Sequence, residues 1–191
     1  MQTEDIYRNM PQLATERLLL RKITMGDLED IHAYGSNPNV AKYVSWPRHQ
    51  SLADTKEFLE MTLYQYENAL IAPWGIEHKE DHKLIGTVGF VSWNPDQYMA
   101  EIGYALAEDY WNSGLVTEAT ERILAFGFEE MQLERIQAKC IAANIGSARV
   151  MEKAGMTFEG TMRKAIYHDN QHWDAKLYAI INEDFHLTKT I

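Results

Sequence analysis

The stretch YMAEIGYALAEDYWNSGLVTEATERILAFGF, residues 98–128, organises the rest of this chain. Its first part, residues 98–106, alternates between two faces at period two, which predicts a strand with Ile102 and Glu101 on opposite faces. From Leu115 onward the apolar residues recur at helical spacing. The sequence therefore predicts a strand that passes through a short loop into a long amphipathic helix.

The loop between this strand and this helix has Gly114 at its tip. A helix that begins there leaves its first backbone N–H groups without intrahelical partners, and these donors, together with the helix dipole, favour a phosphate. The loop from Asn112 to Thr117 is therefore a candidate phosphate site. The alternative is a plain turn from strand to helix, in which Gly114 only supplies a positive φ.

Length, charge and cysteine content limit the class of protein. The chain has 191 residues, a net charge of −10 and one cysteine, Cys140. This length fits one domain with a substantial core, and one cysteine excludes an intrachain disulfide framework. The reduced thiol and the absence of a secretory signal favour a cytoplasmic location. No apolar run is long enough to span a membrane, and no lysine and arginine stripe indicates nucleic-acid binding.

The remaining patterns predict one α+β domain over residues 15–191, preceded by a loosely held leader at residues 1–14. We expect a mixed, mostly antiparallel, twisted sheet of about seven strands, flanked by about four helices. The predicted strands span residues 15–21, 71–77, 84–93, 98–106, 135–141, 156–167 and 173–181. The predicted helices begin at Thr24, Ser51, Leu115 and Asn144.

Seven segments of the sequence occur in the order of one known family pattern. They are TERLLLR at 15–21, LIG at 84–86, EIGY at 101–104, YWNSGLVTEA at 110–119, LERI at 133–136, the spaced residues of 144–155, and FEG at 158–160. Together they resemble the GNAT family of N-acetyltransferases, and more narrowly its branch of RimJ and RimL ribosomal-protein N-terminal acetyltransferases. The resemblance implies a single-domain GNAT-like fold whose sheet is splayed between its fourth and fifth strands. It also implies acetyl-CoA as the co-substrate, with no metal.

The resemblance implies three groups of acetyl-CoA-binding residues. The fourth strand would bind the pantetheine arm and offer a backbone N–H to the thioester carbonyl, through Ile102, Gly103 and Tyr104. The loop and helix start would bind the pyrophosphate, through Trp111, Asn112, Ser113, Gly114, Leu115, Val116 and Thr117. Asn144 and Ser147 would reach the pantetheine and the sulfur, although each could instead cap its helix.

Two loop residues depart from the family pattern. Asn112 stands where a glycine is frequent, and Val116 stands where glycine or alanine is expected. A β-branched side chain at Val116 is expected to narrow the approach of the backbone to a pyrophosphate.

Acetyl transfer to an amine requires removal of a proton from the amine, polarisation of the carbonyl and stabilisation of the leaving thiolate. Glu101 is the candidate base, acting through water, and the alternative is a surface carboxylate paired with a lysine or arginine. Ser147 is the candidate acid, because Met151 occupies the family's usual tyrosine position and cannot donate a proton. No carboxylate occurs in residues 163–167, where some relatives have one, and Tyr167 could replace it.

Other reactive side chains do not form a recognisable site. His168 and His172 lie four residues apart in a predicted strand and turn, where metal-ligand geometry is not expected. Cys140 lies in a mostly apolar strand, which is typical of a buried thiol.

Two functions of different classes remain. The first is an acetyltransferase that moves an acetyl group from acetyl-CoA to a protein N-terminus or a small amine by direct attack. The second is an acyl-CoA-binding module of the same fold with weak or no catalysis, which Val116 and Met151 favour. An open sheet edge at the closing strands makes a homodimer plausible.

Overall fold

One mixed sheet forms the frame of the molecule in this computed structural model, which describes residues 3–188. Its strands are Leu13–Ala14 (β1), Leu18–Arg21 (β2), Trp74–His78 (β3), Lys83–Asn94 (β4), Met99–Leu106 (β5), Arg135–Ile141 (β6), Thr157–His168 (β7) and Gln171–Ile181 (β8). Their order is β1-β2-β3-β4-β5-β6-β8-β7. All neighbours are antiparallel except β5 and β6, which are parallel.

The helices lie between these strands and at the two ends of the described chain. They are Thr3–Tyr7 (α1), Leu28–Gly35 (α2), Pro38–Ala41 (α3), Leu52–Glu67 (α4), Leu115–Glu129 (α5), Ile145–Lys153 (α6) and Asn182–Thr188 (α7). The predicted α+β fold is confirmed. The elements that raise the numbers above about seven strands and about four helices are short: β1, α1, α3 and α7.

The N-terminal residues pack into the core. Tyr7 is fully buried, and its ring centroid lies 6.0 Å from that of Trp74. The Trp74 indole N–H donates to the carbonyl of Pro11 at 2.8 Å, and Leu13 pairs with Leu20 in the sheet. The expectation of a loosely held leader is therefore wrong for residues 3–14, because their apolar side chains cover the Trp74 face of the sheet. The domain boundary at residue 15 stays a prediction.

The long helix α5 lies on the same face of the sheet as Trp74. Ala119 and Ile123 are fully buried, and the Phe126 ring centroid lies 5.6 Å from that of Trp74. The helix therefore buries the apolar stripe that the sequence predicts, and this packing fixes where its N-terminus meets the end of β5. None of the helices within residues 3–188 is long and apolar enough to cross a membrane.

The sheet opens between β5 and β6, which correspond to the fourth and fifth strands of the sequence prediction. Their pairing runs from Met99 opposite Arg135 to Ile102 opposite Ala138 and then stops. β6 continues to pair with β8 as far as Ile141, while residues 103–106 of β5 pair only with β4. The predicted splay is therefore confirmed, and one backbone edge of residues 103–106 faces the opening.

Candidate active site

The turn into α5 presents a set of backbone donors. Gly114 has φ 81° and ψ −1°, and Asn112 has φ 59°, so both lie in the left-handed region. The first intrahelical bond joins the Glu118 N–H to the Gly114 carbonyl at 3.0 Å. The N–H groups of residues 112–117 therefore have no acceptor within the described chain. This arrangement is typical of an anion site.

The departures from the family pattern are compatible with this geometry. Asparagine tolerates the left-handed conformation better than other non-glycine residues, so Asn112 adopts the backbone geometry that glycine would adopt there. Leu115 is buried, and Val116 is partly buried against the core. The side chain of Val116 thus contributes to packing the first turn of α5. Thr117 is the third residue of that turn.

Two side chains fix the loop to its own neighbours. The Trp111 indole N–H donates to the Leu106 carbonyl at 2.8 Å, which ties the loop to the last residue of β5. The Ser113 hydroxyl donates to the carbonyl of Tyr110. These two residues, predicted to contact the pyrophosphate, therefore have structural partners as well.

A second network holds the same loop from outside, and the sequence reasoning missed it. Arg17 donates from Nη1 to the Ser113 carbonyl at 3.0 Å and from Nε to Glu118 Oε2 at 2.8 Å. The Arg17 backbone N–H and the Thr15 hydroxyl both donate to Glu118 Oε1. Burial would raise the pKa of the Glu118 carboxyl, but these donors hold the pKa below its ordinary value. The only sequence signal was the TERLLLR segment, which lies far from Glu118 along the chain.

Three residues predicted to bind the pantetheine arm lie on β5 at the point where the opening between β5 and β6 begins. Ile102 is buried and is the last residue of β5 that pairs with β6. Gly103 and Tyr104 follow it on the unpaired edge. In a strand about every second N–H points to one side, so this edge offers donors to a ligand that lies in the opening.

Tyr104 connects the opening to the start of α6. Its hydroxyl can donate its one proton either to the Ser147 carbonyl, at 3.0 Å, or to Ser147 Oγ, at 2.9 Å. Burial raises the pKa of Tyr104 well above its ordinary value. Asn144 caps α6 by accepting the Ser147 N–H at 3.0 Å, so the capping alternative for Asn144 is present in the structure. Met151 is fully buried.

Glu101 lies on the opposite face of β5 from Ile102, as predicted. Its Oε2 accepts from Gln137 Nε2 at 2.9 Å and lies 3.0 Å from Lys139 Nζ. Its side chain is 18% exposed. The ion pair named as the alternative therefore exists, and it lies where the pairing of β5 and β6 ends.

The remaining candidates lie apart from these groups. Tyr167 is 64% exposed, and its ring centroid lies 5.0 Å from that of His172. Cys140 is buried, and burial raises the pKa of its thiol, in agreement with the predicted buried cysteine. Within residues 3–188, no group of three or more histidine, cysteine or acidic side chains could hold a metal ion.

Comparison with known proteins identifies a family. The family described as an acetyltransferase (GNAT) domain matches residues 17–157. The uncharacterised N-acetyltransferase YoaA of Bacillus subtilis (strain 168) is 32% identical over 171 residues, which cover 90% of this chain and 97% of YoaA. The ribosomal-protein-serine acetyltransferase of Escherichia coli (strain K12) is 29% identical over 139 residues, covering 72% and 76% of the two chains.

A solved structure gives the same result. The crystal structure of a GNAT-family acetyltransferase from Bacillus anthracis superposes with a TM-score of 0.80 at 34% identity. The match covers 91% of this chain and 99% of the other.

Proposed function

This chain belongs to the GNAT acetyltransferase family and transfers an acetyl group from acetyl-CoA to an amine, and we propose that the reaction takes place in the opening between β5 and β6. The observation that carries this assignment is the pairing of the two strands, which ends at Ile102 and leaves residues 103–106 without a neighbouring strand on the β6 side. α5 begins just beyond the open end of β5, and the Tyr104–Ser147 contact joins β5 to the start of α6.

The structure offers acetyl-CoA a fitting set of groups. The free N–H groups of residues 112–117 and the positive end of α5 suit a pyrophosphate. The open edge of β5 suits the amides of a pantetheine arm, which pair as a strand would. When bound, acetyl-CoA supplies an acetyl thioester that an amine can attack directly.

Different side chains around the opening carry out the two proton transfers, one to the sulfur and one from the amine. The amine nitrogen forms a bond to the thioester carbonyl carbon, the carbon–sulfur bond breaks, and the sulfur takes up one proton. We assign Ser147 as the donor of that proton; the Tyr104 hydroxyl, 2.9 Å from Ser147 Oγ, returns a proton to the serine as it is given up, and Tyr104 is reprotonated from solvent. A backbone N–H on the edge of residues 103–106 polarises the carbonyl.

Glu101 accepts the proton of the amine through water. It lies on the face of β5 opposite the buried Ile102, at the level where the opening begins. Lys139 and Gln137 orient its carboxylate at Oε2. An α-amine loses its proton at a pKa of about 8, so a weak base near neutral pH is sufficient for this step.

The acceptor is a primary amine, either a protein N-terminus or a small molecule. A cytoplasmic location and the absence of nucleic-acid binding stay predictions of composition and charge. A homodimer also stays a prediction, supported by the exposed apolar side chains along the edge strand β7: Phe158, Met162 and Tyr167.

The test is release of free thiol from acetyl-CoA in the presence of amines and N-terminal peptides. Glu101→Gln and Ser147→Ala are compared with the parent and with Glu57→Gln, an exposed carboxylate on α4, as the matched control. We expect amine-dependent release that falls roughly tenfold or more in the first two variants only, with the KM for acetyl-CoA little changed.

Two outcomes would contradict this assignment. Thiol release that is equal in all variants would remove Glu101 and Ser147 from the chemistry. Binding of CoA without turnover of any amine would place the chain among acyl-CoA-binding modules.

A further inference from the structure

The chain between α2 and α4 crosses the mouth of the opening. We call residues 36–50 the crossing segment. At one end, Asn37 and Asn39 donate through their amide groups to Glu108, just beyond the end of β5, at 2.8 and 2.9 Å. At the other end, the crossing segment reaches the tip of the β7–β8 hairpin, at His168 and Asp169. The crossing segment therefore connects the end of β5 to the tip of the β7–β8 hairpin.

A cavity of about 230 Å³ lies where the crossing segment meets the hairpin. Its lining residues are Pro38, Ala41, Lys42, Arg48, His168 and Asp169. This space accommodates one polar group of a ligand, such as a phosphate or a carboxylate, and not a whole cofactor.

The charge of this cavity is opposite to that of the chain. Lys42 and Arg48 face a single carboxylate, Asp169, which is 79% exposed, whereas the chain as a whole has a net charge of −10. Arg48 donates from Nε to the Ser36 carbonyl at 2.6 Å. This bond holds the guanidinium in place, and its two NH₂ groups make no hydrogen bond to any residue that the structure describes. They are available to a ligand.

His168 also lines the cavity, and its imidazole lies beside Asp169. The His168 side chain is only 10% exposed, and its Nε2 is buried without a hydrogen bond among the described residues. It lies 3.5 Å from Asp169 Oδ2, which is too long for a hydrogen bond of normal strength. Because this nitrogen has almost no solvent-accessible surface, the groups of the cavity that can bind an anion are those of Lys42 and Arg48.

We propose that this cavity binds an anionic group of the acceptor, a phosphate or a carboxylate carried beside the amine that is acetylated. The inference rests on the proposed function, because it concerns the acceptor side of that active site. Lys42 and Arg48 supply the two cations, and the crossing segment that carries them is hydrogen-bonded to Glu108, just beyond the end of β5 that borders the opening. The enzyme then prefers an acceptor with a nearby negative charge, although its overall charge would repel one.

The experiment compares acceptors that differ only in this charge. The phosphate arm uses phosphoethanolamine against ethanolamine, and the carboxylate arm uses peptides with N-terminal glutamate against N-terminal glutamine. We expect kcat/KM for the anionic member of at least one pair to exceed that of its neutral partner about tenfold at low salt, and the ratio to fall as salt is added.

Variants connect that preference to the cavity. Lys42→Gln and Arg48→Gln are expected to lower the charge preference severalfold while leaving turnover of the neutral amine unchanged. Lys56→Gln, an exposed lysine on α4 whose side chain is 58% exposed, is the matched control and should keep the full preference. Calorimetric titration with phosphoethanolamine gives a readout that does not depend on turnover.

The outcomes separate this inference from the function on which it rests. Equal rates for anionic and neutral acceptors, with active enzyme, would overturn the anion site alone. Phosphoethanolamine binding that is lost in Lys42→Gln but never leads to acetylation would keep the site and contradict the function. A raised KM for acetyl-CoA in Lys42→Gln, absent with acetyl-dephospho-CoA, would assign the cavity to the 3′-phosphate of the cofactor and overturn the acceptor assignment.

Discussion

At the scale of single residues, two hydroxyl groups share their protons in the active site. The Tyr104 hydroxyl lies 3.0 Å from the Ser147 carbonyl and 2.9 Å from Ser147 Oγ, and it has one proton for both. If that proton goes to the carbonyl, Ser147 must donate to Tyr104 and is not free to protonate a sulfur. If it goes to Oγ, the serine proton is free for another acceptor. Tyr104 therefore controls whether Ser147 can act as an acid.

This arrangement predicts that Tyr104→Phe lowers kcat about tenfold with little change in the KM for acetyl-CoA. Because the two hydroxyl groups act as one unit, adding Ser147→Ala to Tyr104→Phe should cost much less than Ser147→Ala costs in the parent. The measurement is a double-mutant cycle of kcat, with Tyr64→Phe, 59% exposed on α4, as the control. Fully additive effects would show that the two hydroxyl groups act independently.

The pH profile provides a second check on the same pair. Since burial raises the pKa of Tyr104 well above 10, its hydroxyl keeps its proton throughout the working range. The parent should therefore show no loss of kcat between about pH 8 and pH 10 from tyrosine ionisation. A decline with an apparent pKa near 10 that disappears in Tyr104→Phe would contradict this assignment.

At the scale of secondary structure, the start of α5 is positioned by a neighbouring strand. Glu118 lies in the first turn of the helix, where its charge would repel a phosphate bound to the same turn. Arg17 neutralises that charge through Nε and Nη2, and its Nη1 holds the Ser113 carbonyl of the loop. The turn between β1 and β2 thus contributes to the anion site although it is distant from the loop along the sequence.

We therefore expect Arg17→Gln to raise the KM for acetyl-CoA about fivefold to tenfold, with a smaller change in kcat at saturating acetyl-CoA. The variant leaves Glu118 unpaired and frees the loop at Ser113. Arg8→Gln, an exposed arginine at the end of α1, is the control. Steady-state kinetics with the acetyl-CoA concentration varied would measure the effect. An equal loss in kcat and no change in KM would contradict a role in binding.

The elements that the sequence predicted well are those with long periodic patterns or specific turn residues. α5 and β5 were found from periodicity, and Gly114 marked the turn between them. α1 and β1 were missed because five and two residues are too short to show a period. Burial of Tyr7 depends on the position of Trp74, which no local pattern reports.

The contacts between site residues that were missed follow the same rule. Tyr104 and Ser147 lie 43 residues apart, and Arg17 and Glu118 lie 101 apart, so each contact exists only after the sheet has formed. Glu101 was placed on the correct face by period two, but its pairing with Lys139 depends on the parallel register of β5 and β6.

At the scale of the whole molecule, buried carboxylates and tyrosines limit the range of pH in which the fold is stable. Burial would raise the pKa of Asp27, but hydrogen bonds from Arg21 and Thr24 hold it below its ordinary value. The unfolded chain therefore binds a proton to this aspartate below about pH 4, before the folded chain does, and stability falls as pH drops further.

Burial raises the pKa of Tyr66 to about 12, so the unfolded chain loses its tyrosine proton first above about pH 10. Stability should fall on that side as well.

Asp27→Asn provides the sharpest test of the acid side. Arg21 Nη1 and Nη2 both bond to Asp27, at 2.9 and 2.7 Å, and the Asp27 residue is only 6% exposed. Removing the charge leaves a half-buried guanidinium with Glu77 as its remaining anion, so we expect the free energy of unfolding at pH 7 to fall by about 3 kcal/mol. Urea unfolding from pH 7 down to about pH 3 would measure this loss of stability.

The difference in the free energy of unfolding between Asp27→Asn and the parent should shrink below about pH 4, because protonation of Asp27 in the parent then removes the same ion pair. Asp96→Asn, at an exposed turn, should change little at any pH. A difference for Asp27→Asn that stays constant down to the lowest pH would mean that lost packing and hydrogen bonding, and not the charge on Asp27, destabilise the variant.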